Sequence, residues 1–213
     1  MRESREWLMW PAFATENSEI FLKELRDLCS RRVFSPLFTT LETHLLDTDI
    51  QMPTVNNVTR FLDSHKISYV AFETPTEKLG ALETAEFLNV LPEAVFKTIV
   101  ITRDKPRKPI LALIPGPNIV DLKLLAAFLG EKKVHLPTER EAEQLTGLQA
   151  GGISPLALIN KGFQVVIDSA AQGYPEIHVS GGQRGLNIRL PVAALIKLTN
   201  ARLAPISRGD KDD

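Results

Sequence analysis

Residues 95–115 read VFKTIVITRDKPRKPILALIP. Two apolar runs, KTIVITR (97–103) and PILALIP (109–115), flank a basic turn, and their β-branched content with turn residues between them reads as two strands of a hairpin. Upstream, Pro92 opens a short helical turn, ALETAEFLNV (81–90) reads as a helix and ISYVAFE (67–73) as a strand. Before them VNNVTRFLDSHK (55–66) reads as a helix capped by Thr54, with Val55, Val58, Phe61 and Leu62 on one face. Downstream, Asp121 caps a helix over DLKLLAAFLG that Gly130 stops, and KKVHL (132–136) is a strand. Thr138 and Glu141 form a capping box for a helix closed by Gly147. After a glycine-proline loop come a strand at FQVVIDS, the pair EIHVS and LNIRL, and a last helix, VAALIKLT, before ARLAPI. Strands and helices mix without strict βαβ alternation, which predicts an α+β fold with a mixed, curved sheet flanked by helices.

The chain has 213 residues, with 44% hydrophobic and 24% charged, enough for an ordinary core without disulfide or metal staples. Its 25 basic and 26 acidic residues give a formal net charge of −1, which excludes coating nucleic acid by bulk positive charge. The cluster Arg103–Lys108 and the pair Lys132-Lys133 read equally as local basic patches or as solvated turns. One cysteine, Cys29, leaves no disulfide framework and points to a cytoplasmic home. No apolar run is long enough to span a membrane, and the start of the chain lacks the pattern of a signal peptide. The four histidines share no metal-ligand spacing, so neither a metal nor a cofactor is expected. Residues 1–51 read as an N-terminal extension, loosely docked or partly disordered, residues 52–206 as the main domain, and 207–213 as a flexible tail.

Three features could carry chemistry. Period-2 alternation sets Lys97 on the face of Val95, Ile99 and Ile101. An ammonium there either snorkels past the strand end or enters a polar pocket, where it could hold a phosphate or polarise a carbonyl. Gly151-Gly152-Ile153-Ser154-Pro155 is either a plain bend or a cradle whose consecutive glycine N–H groups receive an oxyanion. VSGGQRGLNI (179–188) reads as a hairpin, with Ser180 capping the turn or touching a ligand and Arg184 reaching phosphate or solvent. No nucleophile–base pair, phosphate loop or dinucleotide fingerprint is present. An enzyme built on this sequence works by positioning and backbone electrostatics.

VFKTIV, GGISPL and VSGGQRGLNI, in that order, resemble the YbaK/EbsC family of aminoacyl-tRNA deacylases, free-standing relatives of the editing domain of bacterial prolyl-tRNA synthetases. The resemblance runs from about Val55 to Ile206 and includes Val120-Asp121-Leu122-Lys123, LGEKKV and VVIDSAAQ; it is close to the Cys-tRNA(Pro) deacylase branch. It implies a trans-acting enzyme that cleaves the ester of mischarged tRNA at the 3′ acceptor end, without metal or protein nucleophile. The attack comes from water or, in the cysteine branch, from the substrate's own thiol. Lys97 and Gly151 would be catalytic, with Lys97 anchoring the terminal nucleotide or the carbonyl region. Thr98, Gly152, Ile153, Ser154, Pro155, Ser180, Gly181 and Asn187 would bind the substrate. Aminoacyl-tRNA is the implied partner and prolyl-tRNA synthetase a second candidate.

Asn187 stands where an aspartate is frequent in the closest relatives, and Thr74-Pro75 where a tyrosine is. Cysteine, alanine, serine or another small amino acid therefore stays open as the substrate. The alternative is a non-catalytic module that keeps the pocket and recruits tRNA or a synthetase. A third reading is a hydrolase of other acyl esters.

Overall fold

The computed structural model describes residues 55–104 and 107–209. The expectations for residues 1–51, for the cap at Thr54 and for the last four residues of the tail lie outside them.

The hairpin at the centre of the sequence is the centre of the fold. Strands β2 (Phe96–Arg103) and β3 (Ile110–Pro115) pair antiparallel, with Lys97 opposite Ile114 and Ile101 opposite Ile110. All of β3 is buried, because the sheet is covered on both faces and an unbroken apolar run suits that position. Leu111 and Leu113 enter one core cluster with Val100, Val165 and Ile167; Ile110, Ala112 and Ile114 enter the other, with Leu125 and Val166. On the far side of β3, β6 (Gln164–Asp168) runs parallel, followed by β9 (Arg202–Ala204), and β5 (Val134–His135) edges β2. The sheet is mixed, as the lack of βαβ alternation predicts.

β1 (Val70–Glu73), β8 (Leu186–Pro191) and β7 (Glu176–Ser180) form a second, antiparallel sheet of three strands. A parallel bridge between Val95 and His178 ties it to the head of β2. Helices α1 (Asn57–Ser64), α2 (Ala81–Leu88), α3 (Leu122–Leu129), α4 (Glu139–Thr146) and α5 (Val192–Thr199) flank the sheets. Asp121 caps α3 by accepting from the N–H groups of Lys123 and Leu124, and Thr138 and Glu141 form the expected box on α4.

Several expectations need correction. The cap of α1 is Asn56, whose side chain accepts from Val58 and Thr59, so Val55 precedes the helix and is 64% exposed instead of packed. The strand read over 132–136 shrinks to Val134–His135, because the flanking lysines and Leu136 are exposed. Leu156–Lys161 forms an unforeseen 3₁₀ helix, started by Pro155. The tail read as loose from Ser207 begins with β10 (Ser207–Gly209), which pairs with β4 (Asn118–Val120). There Ile206 N–H is held by the buried Asp168 carboxylate at 2.9 Å, which fixes the entry to that strand.

Candidate active site

A cavity of about 290 Å³ opens where the two sheets meet. One wall is the head of β2, from Val95 to Ile99; the facing wall carries Ser180, Leu186 and Asn187 of β7 and β8. The bend at Ala150-Gly151 and the segment from Thr74 to Ala81 close its rim.

Lys97 takes the pocket option. Its strand places it beside the apolar face, half-buried, and its Nζ donates to the carbonyl oxygen of Gly116 at 2.8 Å while lining the cavity. Gly116 sits tightly beneath: a Cβ there would meet Pro92 O at 2.8 Å, so the turn after β3 must be backbone alone. Thr98 lines the same wall, and its Oγ1 is buried with no hydrogen-bond partner among the described residues.

The glycine bend is shaped by contacts with the β7–β8 hairpin. Gly151 adopts φ +86, which favours glycine, and its carbonyl accepts from Ser180 Oγ at 3.4 Å. Arg184 Nε donates to Ala150 O at 2.7 Å. A Cβ on Gly152 would stand 2.9 Å from Arg184 N and from Gln183 C, so the two loops touch main chain to main chain. The paired N–H cradle expected from two adjacent glycines does not form. Gly152 N–H is spent on Gln149 O at 2.9 Å, and of the two amides only Gly151's is left unengaged within the loop among the described residues.

Of the ten residues singled out in the sequence, Lys97, Thr98, Gly151, Ile153, Ser180 and Asn187 line this one cavity. Gly152, Ser154, Pro155 and Gly181 are buried behind it. Ser154 is fully buried and its hydroxyl has no partner among the described residues. Gly181 donates to Leu186 O at 2.9 Å and accepts from Asn56 Nδ2 at 2.8 Å, which pins the hairpin to the start of α1.

Sequence reasoning missed the rim charges. Glu77 and Lys78 lie in the TPTEKLG stretch between β1 and α2, which carries no regular period. Lys78 pairs with Glu139 in the first turn of α4, an exposed contact worth little energy. With Lys97 and Arg184 the lining holds three cations against one carboxylate, Glu77, so the site favours anions although the chain as a whole carries a formal net charge of −1. Among the described residues no group of three or more His, Cys, Asp or Glu gathers as metal ligands, and no helix is long and apolar enough to cross a membrane.

Behind the cavity His178 is 3% exposed, and its Nδ1 lies 2.9 Å from Asn187 Oδ1. Burial pushes the pKa of this ring below the ordinary histidine value, against the opposing hydrogen bond from Asn187.

A family model described as an aminoacyl-tRNA editing domain matches residues 77–198. EbsC of Enterococcus faecalis, a protein named for Cys-tRNA(Pro)/Cys-tRNA(Cys) deacylase activity, is 37% identical over 71% of this chain and 92% of its own. A proline–tRNA ligase of Streptococcus uberis is 34% identical over 48% of this chain, a region that makes up 16% of the ligase. A crystal structure described as a trans-editing enzyme for prolyl tRNA synthetase superposes with a TM-score of 0.61 at 25% identity, over 73% of this chain and all of the other.

Proposed function

This chain belongs to the aminoacyl-tRNA editing domain family, and we propose that it acts in trans as a deacylase that clears a small amino acid, cysteine foremost, from mischarged tRNA(Pro). Its place of work in this reading is the cytoplasm, where charged tRNA is made and used, with prolyl-tRNA synthetase as the neighbouring partner.

One observation carries the reading: Lys97 of β2 and the Gly151 bend line a single cavity of about 290 Å³. The volume suits one esterified amino acid with part of its ribose, and the three rim and wall cations suit the phosphate of a 3′ end.

In hydrolysis, water adds to the ester carbonyl, the bond from the carbonyl carbon to the ribose oxygen breaks, and that oxygen leaves with a proton. The protein's share is to hold the ester and stabilise the oxyanion. In this reading Gly151 N–H, unengaged among the described residues, serves as the main-chain donor, and one such donor is worth about 3 kcal/mol of barrier. Lys97 Nζ, already oriented by Gly116 O, supplies the positive charge beside the carbonyl. Thr98 Oγ1, unpartnered among the described residues, is the wall hydroxyl left for a polar atom of the ester, while Ser180 Oγ, which donates to Gly151 O, steadies the bend. Gly152, Ser154, Pro155 and Gly181 serve by holding the bend and the hairpin in register.

Full-length protein incubated with a panel of tRNAs mischarged with cysteine, alanine, serine and other small residues tests the reading. Release of at least one small amino acid is the expected result. Tight binding of tRNA with no release of any of them would contradict the deacylase and support the recruiting module.

A further inference from the structure

His178 and Asn187 lie on adjacent strands, 3% and 5% exposed; Asn187 lines the cavity and His178 lies behind it. The imidazole packs tilted against Phe72 with ring centroids 5.4 Å apart, and its backbone bridges to Val95. Its charged neighbours, Arg189 and Glu176, pair with each other at 3.2 Å and pull the ring in opposite directions, so burial decides and the imidazole is neutral near pH 7. A neutral imidazole has one N–H, and the Asn187 oxygen facing Nδ1 at 2.9 Å accepts a hydrogen bond only when the proton is there. Oδ1 is thus turned to the ring, which leaves the Nδ2 branch of Asn187, a lining residue, as the one directed away from it with two hydrogens to donate.

We propose that His178 locks the Asn187 carboxamide with its NH₂ group toward the deep end of the cavity, so that this wall offers the aminoacyl group a neutral hydrogen-bond donor in place of a carboxylate. The identity of the ligand rests on the deacylase reading: the tRNA stays outside, so the aminoacyl group is the part that reaches Asn187, the most buried polar side chain of the lining. A carboxamide donor pairs with an acceptor, such as a carbonyl oxygen, a hydroxyl or a thiol sulfur. It does not pair with an α-ammonium, which carries only N–H. The lining carboxylate that could take an ammonium is Glu77, on the exposed arm at the rim. His178 is a positioning residue in this scheme and touches no reacting atom. The arrangement selects aminoacyl groups by their acceptor atoms at the deep end and leaves the ammonium to the mouth.

Two measurements on the full chain test this. In protein labelled with ¹⁵N-histidine, the His178 signals are identified by their loss in His178→Gln, and a proton on Nδ1 at neutral pH is expected. An unprotonated Nδ1 would overturn the proposal, because Asn187 would then be the donor to the ring and its oxygen would face the cavity. This readout needs no turnover, so it stays separate from success or failure of the deacylation panel. The second compares binding of an amide-linked alanyl-adenosine with its lactyl counterpart, in which a hydroxyl replaces the α-ammonium. Asn187→Asp should move the ratio of the two dissociation constants toward the ammonium compound by about tenfold or more. A ratio unchanged by the substitution would refute the donor assignment, and because it is taken within one protein, a loss of folded material does not disturb it. Binding of neither compound by the unsubstituted chain would count against the deacylase reading itself.

Discussion

Strand β3 and the bend from Gly152 to Leu156 are both buried throughout, yet they are buried by different means. β3 alternates its side chains into two apolar clusters and hydrogen-bonds a strand on each side. The bend has no ladder. It is held by single contacts, Gly152 N–H to Gln149 O and Arg184 Nε to Ala150 O, and by main chain pressed against main chain at Gly152. One polar group inside it, Ser154 Oγ, has no partner among the described residues. The strand is therefore an element whose loss shows in stability, and the bend one whose displacement shows in the cavity.

That contrast is open to attack by mutation. Leu113→Ala should have the largest effect on stability, about 2–5 kcal/mol in denaturant unfolding, because it leaves a hole in a closely packed cluster. The turnover of the molecules that remain folded should hold, and a kinetic defect as large as the stability loss would blur the distinction. Gly152→Ala should cost less stability, about 1–3 kcal/mol, as the added methyl forces the bend off the hairpin. Its deacylation rate should nevertheless fall by at least about tenfold, since the same shift moves Gly151. A stable and fully active Gly152→Ala would show that the close approach is incidental. Asp121→Ala, far along the chain from the cavity residues, should cost about 1 kcal/mol through the lost α3 cap and leave the rate alone. The smallest effect is one of pH. The N–H and hydroxyl of Thr138 hold the Glu141 carboxyl below its ordinary value, so the capping box contributes fully above the unfolded pKa and is lost as pH falls through the lowered one. A melting series over acid pH should show that loss in the unsubstituted chain and not in Glu141→Gln, which has no carboxyl to protonate.

The same contrast explains what could be read from the sequence. The β2–β3 hairpin, the caps at Asp121 and Thr138 and the stops at Gly130 and Gly147 were legible because each rests on local periodicity or on a side chain bonding its own helix end. Lys97 was legible as an anomaly, an ammonium on an apolar face. The shape of the bend was only half legible. Two adjacent glycines suggest paired donors, but the tight turn on Gln149 consumes one of them, and the close approach of the bend to Gln183 and Arg184, some thirty residues away in sequence, leaves no local signal. The rim residues Glu77 and Lys78 left no signal, since an aperiodic polar stretch looks the same whether it borders a cavity or bulk water. β10 was missed because a three-residue strand takes its conformation from its partner β4 and from Asp168.

The central claim is that a cation from β2 and a main-chain bend act together on one ester. The most direct test is Lys97→Ala, assayed by single-turnover deacylation of Cys-tRNA(Pro) alongside thermal unfolding. The expected outcome is a rate lower by a factor of about 10² to 10³, with a melting temperature close to that of the unsubstituted chain. An unchanged rate in a folded variant would contradict the claim.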